Sequence, residues 1–216
     1  MKKRVFIVLL TLFSVVMTGQ TEMLIGQISG RTIVRENFDK DGDFLNKQIF
    51  DAGKEKEKNG YYEIEVETEF FDENGNSTDK YSTTYRCRPE ASSVMVMAFP
   101  FSNRKSKETE INTSSKNFKD LYNMDSLKNV ELEISFDSGL LDFFGSKSKI
   151  YIFDRKLNPK TKDIQINSKL TVKAYSWGIR IKELEYSVLE KLSKKGLLSY
   201  QKFVENDGSY FTIIYK

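Results

Sequence analysis

Residues 61–71 have the sequence Tyr-Tyr-Glu-Ile-Glu-Val-Glu-Thr-Glu-Phe-Phe, in which a glutamate occupies every second position from Glu63 to Glu69. Because successive side chains of a β-strand point to opposite faces, this alternation predicts a strand with one apolar face and one face of carboxylates. Carboxylates on one solvated face share one environment, whereas general acid–base catalysis needs two carboxyl groups with different pKa values. We therefore interpret the glutamates as a sheet exterior that pairs with Lys or Arg of a neighbouring strand.

The same alternation recurs along the chain and predicts further strands. The less regular examples are Val130 to Phe136, Ile150 to Phe153, Leu170 to Tyr175, Ile179 to Tyr186 and Leu197 to Val204, and the closing segment Tyr210 to Tyr215 is apolar on both sides. Glycine ends the polar segments 39–42, 72–75, 193–196 and 205–208, and each of them precedes another strand-like segment. Glycine readily adopts the positive φ that tight hairpins need. This succession favours a meander of antiparallel strands over a parallel sheet interrupted by helices.

The pattern predicts an all-β, mainly antiparallel fold, with residues 20–216 forming a single domain. A meander of about ten strands must hide its edges, so we expect a curved sheet or a barrel, lipocalin-like in outline. A polar excursion at 102–128 interrupts the pattern, and the apolar spacing within it predicts one short helix over Asn117 to Leu127. The sequence leaves open whether this excursion is a lid, a binding loop or a disordered segment.

The first residues have the layout of a secretory signal peptide. Basic residues at positions 2–4 precede the apolar run Val5 to Met17, and Thr18-Gly19-Gln20 follows. The run is shorter than the roughly 20 residues that span a bilayer. We expect cleavage after Gly19, which makes residues 1–19 the signal peptide and leaves no transmembrane segment in the mature chain. The mature protein is therefore expected to be soluble in the periplasm, outside the cell or in the cell envelope.

The leader also accounts for the basic character of the chain. The full sequence has 34 Lys+Arg and 31 Asp+Glu, and the leader contributes Lys2, Lys3 and Arg4. The mature chain then has no net charge, so overall basicity does not predict a nucleic-acid partner.

The counts of histidine and cysteine exclude several chemistries. The chain has no histidine and one cysteine, Cys87. Ser-His and Cys-His nucleophile pairs, an intramolecular disulfide and a structural zinc site are therefore excluded. Alternation places Cys87 on the same face as Thr83 and Tyr85, which predicts a buried thiol rather than a reactive one. We predict no catalytic residues, no metal and no cofactor.

One segment resembles a calcium-binding loop. Asn37, Asp39 and Asp41 fall at positions 1, 3 and 5 of such a loop, and Gly42 falls at position 6. Position 12 would be Gln48, which cannot supply the bidentate carboxylate, and the flanking segments have strand patterns instead of helical ones. We therefore interpret this segment as a hairpin turn rich in aspartate.

The C-terminal third is rich in aromatic residues, and these are the candidate ligand-binding residues. They are Tyr175, Trp177, Tyr186, Tyr200 and Phe203. Such side chains line apolar cavities within curved sheets and barrels. The alternative is that they fill the core.

Short motifs of turns and strand ends occur from one end of the mature chain to the other. They are Phe38-Asp39-Lys40-Asp41-Gly42, Phe71-Asp72-Glu73-Asn74-Gly75, Tyr85-Arg86-Cys87, Ile152-Phe153-Asp154-Arg155-Lys156, Trp177-Gly178-Ile179 and Ser193-Lys194-Lys195-Gly196-Leu197. In these motifs the chain resembles the TapB-like envelope proteins, a group of exported domains from Gram-negative bacteria. The resemblance implies an antiparallel barrel-like or curved-sheet fold in the cell envelope, and it carries over no catalytic residues.

Two classes of function are consistent with these observations. In the first, the concave face of the sheet binds an apolar or lipid-like molecule, and the excursion at 102–128 is a candidate lid. In the second, the barrel is filled, and a strand edge or the excursion contacts another envelope protein. A carboxylate-dependent hydrolase is the third alternative. An interior cavity of about 300–1,000 Å³ favours the first class, whereas a filled interior favours the second. The sequence predicts no particular oligomeric state.

Overall fold

The computed structural model describes residues 24–88, 108–113, 121, 126–136, 147–158, 164–176, 178–193 and 197–216. The expected leader, most of the expected excursion and Trp177 lie outside these residues, and so does most of the helix expected over 117–127. A 3-10 helix, Leu24–Gln27, precedes the first strand. The strands are β1 (Thr32–Phe38), β2 (Phe44–Ala52), β3 (Lys56–Lys58), β4 (Tyr61–Phe71), β5 (Ser77–Cys87), β6 (Glu108–Thr113), β7 (Val130–Phe136), β8 (Lys147–Asn158), β9 (Ile164–Ser176), β10 (Ile179–Leu192), β11 (Leu198–Glu205) and β12 (Tyr210–Tyr215).

The strands form one sheet with the order β2-β1-β12-β11-β10-β9-β8-β7-β6-β5-β4-β3. β2 also pairs with β4, through residues 47–52 and 66–71, so the pairings return to their starting strand. The short β3 pairs with the first residues of the same β4. Pairing around such a ring leaves few unpaired backbone edges, which is the physical reason to expect a curved sheet. The prediction of an all-β, barrel-like fold is confirmed.

The pairing between β5 and β6 is parallel, and all other described pairings are antiparallel. Parallel neighbours cannot be joined by a tight turn. Glu108, the first residue of β6, pairs with Thr84, three residues before the end of β5. The fold is mainly antiparallel, as predicted, with this one parallel pair.

The two faces of β4 differ as the alternation of residues 61–71 predicts. Ile64 and Val66 are buried in the core, whereas the glutamates face outward. Glu63 contacts Arg86 of β5 at 3.1 Å, and Glu67 contacts Lys80 of β5 at 2.7 Å. The interpretation of the glutamate row as a sheet exterior paired with basic residues is confirmed.

Cys87 is fully buried and belongs to the same core as Ile64 and Val66. This position confirms that the thiol is a core residue.

Aspartates close the hairpins between β1 and β2 and between β4 and β5 in the same way. Asp39 Oδ1 accepts hydrogen bonds from the backbone N–H groups of Asp41 and Asp43, at 2.9 and 2.8 Å. Asp72 Oδ1 accepts equivalent bonds at 2.9 and 2.8 Å. Gly42 adopts a φ of 90° in the first turn. The segment that resembles a calcium loop is thus a hairpin turn whose aspartate binds the backbone, and no cluster of metal-ligating side chains occurs among the described residues.

Arg31 holds together the end of the barrel opposite these turns. Its guanidinium donates hydrogen bonds to the carbonyl oxygens of Gln27, Leu198 and Tyr215, at 2.9, 3.0 and 2.7 Å. Nε donates to the carbonyl oxygen of Lys216 at 3.2 Å. These bonds tie the 3-10 helix to the ends of β11 and β12.

Candidate functional site

Aromatic side chains fill the barrel interior near its β10, β11 and β12 strands. The Phe203 and Phe211 rings stack with their centroids 4.6 Å apart, and Tyr186 meets Phe203 edge-on at 6.0 Å. Cross-strand pairing places these side chains on one face, since Val188 lies opposite Phe203 and Phe203 lies opposite Phe211. Burial raises the pKa of the Tyr186 hydroxyl above its usual range. Stacked and edge-to-face contacts of this kind are usual among aromatic side chains in protein cores. The cluster is therefore part of the core packing.

Of the five candidate ligand-binding residues, Tyr186 and Phe203 come together in this cluster. Tyr175 and Tyr200 lie on the outer face, because their neighbours Ala174 and Gln201 are buried. Lys191 Nζ lies 5.0 Å from the centroid of the Tyr200 ring. Trp177 lies outside the described residues. The candidate set is thus divided between the two faces of the sheet, and its role in ligand binding stays a prediction.

Sequence reasoning missed Phe211, which completes the aromatic cluster. The signal was present in the closing segment Tyr210 to Tyr215, which is apolar on both sides and whose described residues are mostly buried.

A buried polar chain lies beside the aromatic cluster. The Tyr215 hydroxyl donates to Gln201 Oε1, and Gln201 Nε2 donates to Glu190 Oε1, both at 2.7 Å. The adjoining void, which Ser168 and Leu121 also line, measures about 10 Å³. This is about the volume that a single water needs. Among the described residues, this part of the interior has no space for a larger ligand.

Leu121 contributes to filling this interior from outside the strands. It is buried to 2 % exposure in the core, and it is the one described residue between positions 114 and 125. The buried Arg155 guanidinium donates hydrogen bonds to the carbonyl oxygens of Leu121 and Lys128. The chain between β6 and β7 is therefore anchored inside the barrel at this residue.

A groove of about 540 Å³ lies on the outer face of β7 to β10 and is the candidate site. Its centre is a row of four residues in register across these strands. Glu131 of β7 lies opposite Tyr151 of β8, Tyr151 lies opposite Thr171 of β9, and Thr171 lies opposite Glu185 of β10. We call this groove the outer groove; its lining includes Glu131, Tyr151, Thr171, Lys173, Glu183 and Glu185.

Neighbouring side chains already engage Glu183 and Glu185 of the outer groove. Lys173 Nζ lies 3.4 Å from Glu183 and 5.4 Å from the centroid of the Tyr151 ring. Arg180 also pairs with Glu183. The Asn206 amide donates to Glu185 Oε2 at 3.0 Å. The groove thus presents both hydrogen-bond donors and acceptors, with an aromatic ring between them.

Thr171 is the smallest side chain of the row and forms its floor. Its neighbours Leu170 and Val172 face the core, so Thr171 faces outward. Even so, only 8 % of its surface is exposed. Its hydroxyl makes no hydrogen bond to the residues that the structure describes. The hydroxyl is therefore available to a molecule in the groove.

Sequence reasoning missed the outer groove because each of its residues belongs to the polar half of an alternating strand. Such residues are typical of a solvated surface. Their convergence depends on the register of β7 to β10, and register cannot be read from one strand at a time.

No protein-family model matches this chain, and no curated protein matches it significantly. Two solved structures are similar in fold. The first is a candidate exported protein with a YmcC-like fold from Bacteroides fragilis, with a TM-score of 0.43 and 11 % identity over 87 % of this chain and 94 % of that one. The second is a candidate lipoprotein from Parabacteroides distasonis, with a TM-score of 0.45 and 12 % identity over 89 % of this chain and 96 % of that one. Within the described part of the chain, no helix has the length and apolarity needed to cross a membrane.

Proposed function

We propose that this chain is an exported, non-catalytic binding protein that takes its ligand in the outer groove and not in the barrel interior. The observation that carries the proposal is the contrast in volume between the two places. The void beside Glu190 and Gln201 measures about 10 Å³, and the outer groove measures about 540 Å³. Small-molecule sites range over about 300–1,000 Å³.

Export is proposed on the basis of the leader at residues 1–19. The basic start, the apolar run and the small residue before Gln20 are the features that direct secretion. The resemblance to the TapB-like envelope proteins supports the same compartment. The mature protein would then meet its ligand in the periplasm or at the cell surface.

The arrangement of the groove carboxylates supports the absence of catalysis. Glu131 and Glu185 stand three strands apart, which is about 14 Å. The carboxyl pairs of glycoside hydrolases are separated by about 5–9.5 Å. Glu183 and Glu185 are closer along one strand, but Arg180, Lys173 and Asn206 already engage them.

A titration of the ¹⁵N-labelled mature protein with a low-molecular-weight extract of the native host's envelope tests the proposed location. We expect backbone signals of the groove strands to shift, with Thr171 and Lys173 among them. The signals of Phe203 and Phe211 should stay in place. Shifts confined to the interior residues would contradict the proposal and return the site to the barrel interior, as would a co-purifying apolar molecule released by organic solvent.

Contact with another envelope protein is the second candidate function, and one observation favours it. Ile179 and Ile181 are 69 % and 55 % exposed on β10, where the described residues 179–185 pair with β9 alone. An unpaired edge of this kind can accept a strand from a partner. A photo-crosslinking residue at Ile181 should then give one discrete adduct in cells, and the same residue at Asp51, which is exposed on the part of β2 that pairs with both β1 and β4, should give none.

A further inference from the structure

We infer that the outer groove binds a neutral oligosaccharide. This inference rests on the proposed function and names its ligand class. It starts from the row Glu131, Tyr151, Thr171 and Glu185, which the strand register brings side by side on the outer face.

The charge pattern of the groove selects against charged ligands. An anion would meet Glu131, Glu183 and Glu185. A cation would have to displace Lys173 and Arg180 from Glu183, or the Asn206 amide from Glu185. A neutral ligand avoids both costs, because it leaves the existing pairs in place.

The hydrogen-bonding groups of the groove match a polyhydroxylated ligand. A sugar hydroxyl both donates and accepts, so it can donate to a carboxylate such as Glu185 and accept from the Lys173 ammonium. Hydrogen bonds to charged groups are about twice as strong as bonds between neutral groups. A fatty acid or an isoprenoid would instead bury these polar groups without partners, which is costly.

Tyr151 and Thr171 give the groove its shape. The small Thr171 lies between the larger Tyr151 and Glu185 in this row. The ring of Tyr151 offers an apolar surface and a polar hydroxyl to the apolar C–H face and the hydroxyls of a sugar ring. The Thr171 hydroxyl, which makes no hydrogen bond to another described residue, borders the groove between Tyr151 and Glu185.

Isothermal titration calorimetry of the full mature chain tests the inference. The neutral probes are maltotriose, cellotriose and chitotriose, and the comparison probes are trigalacturonate, tri-lysine and laurate. We expect at least one neutral trisaccharide to bind and the comparison probes not to bind. Absence of binding by all three neutral trisaccharides, or binding of a comparison probe in their place, would overturn the saccharide assignment.

Three variants connect binding to the floor of the groove. Thr171→Val removes the hydroxyl and should weaken trisaccharide binding by about three- to tenfold. Thr171→Ser retains the hydroxyl and should bind like the wild type. Thr212→Val is the matched control, because Thr212 is an outward threonine of β12 that is equally buried, at 7 % exposure, and does not line the groove. Equal binding by Thr171→Val and the wild type would also overturn the inference.

The extract titration separates the two possible failures. If groove signals shift with envelope extract but no neutral trisaccharide binds, the location stands and the ligand class is wrong. If the interior signals shift instead, the proposed function itself fails.

Discussion

The guanidinium carbon of Arg35 lies 4.2 Å from the centroid of the Phe211 ring. Arg35 also donates from Nε to Asn37 Oδ1 at 3.0 Å. Burial lowers the pKa of Arg35 to about 10, and the nearby Tyr186 and Glu205 oppose this shift. A cation over an aromatic face gains about 0.5–2 kcal/mol, which offsets part of the cost of removing it from water. Arg35 thus covers the aromatic cluster at the Phe211 ring.

We expect Phe211→Ala to lower the free energy of unfolding by about 3–5 kcal/mol, because a buried aromatic ring is lost from a stack. Urea denaturation of the mature protein provides the measurement. Phe44→Ala is the control, since Phe44 is only half-buried and its ring meets that of Phe38 edge-on, with the ring centroids 5.9 Å apart. A loss below about 1 kcal/mol for Phe211→Ala would contradict the close packing of this cluster.

Leu121→Ala should destabilise the protein by about 2–5 kcal/mol, because Leu121 packs inside the barrel and borders the 10 Å³ void. Leu127→Ala serves as the comparison, since Leu127 is only partly buried against the same core and should cost less. The loss of stability of each variant relative to the wild type is measured by thermal unfolding. Equal, small effects would mean that Leu121 is not anchored in the interior.

Arg31→Met should destabilise the protein by about 1–3 kcal/mol, because the carbonyl oxygens of Gln27, Leu198 and Tyr215 lose their donor. Arg88→Met is a suitable control at an exposed arginine that lies 3.3 Å from the Tyr61 hydroxyl. We expect the control to stay within about 0.5 kcal/mol of the wild type. Hydrogen exchange should show faster opening of the chain end near Arg31 in Arg31→Met alone.

Stability should fall in acid partly through Asp72. Hydrogen bonds from the Asn76 backbone and side chain lower the pKa of this carboxyl. A carboxyl with a lowered pKa in the folded state contributes stability above its unfolded pKa, and this contribution is lost as the pH falls through the folded value. Asp72→Asn should therefore show a smaller loss of stability than the wild type between neutral pH and about pH 3. Denaturant unfolding at the two pH values measures the difference, and equal losses would contradict the role of Asp72.

Period-two alternation predicted strands whose faces are apolar and polar, and the fold bears this out in detail on β4. The core residues Ile64 and Val66 and the outward Glu63 and Glu67 all lie as their spacing indicates. The aspartate-rich turns could also be predicted from the sequence, because Asp39 and Asp72 accept hydrogen bonds from backbone N–H groups no more than four residues away. These are local interactions, and local sequence contains them.

The outer groove could not be predicted from local sequence. Tyr151, Thr171 and Glu185 are each ordinary polar-face residues of separate strands, and only pairing in one register places them side by side. The position of Leu121 inside the barrel also depends on a distant residue. The Arg155 guanidinium, 34 positions further along the chain, donates a hydrogen bond to the carbonyl oxygen of Leu121. A period of two specifies the face on which a side chain lies, but not which side chains of other strands will face it.

The amino-acid sequence by itself determined the all-β class, the buried position of Cys87, the hairpin turns and the absence of histidine chemistry, because composition, alternation and turn residues act within a few positions. The tertiary structure alone decided that β2 pairs with β4, that β5 runs parallel to β6, that aromatic side chains fill the interior, and that a polar groove forms outside it. The physical reason is that strand order and register depend on the combined burial of many side chains from distant segments, and no single segment carries that information.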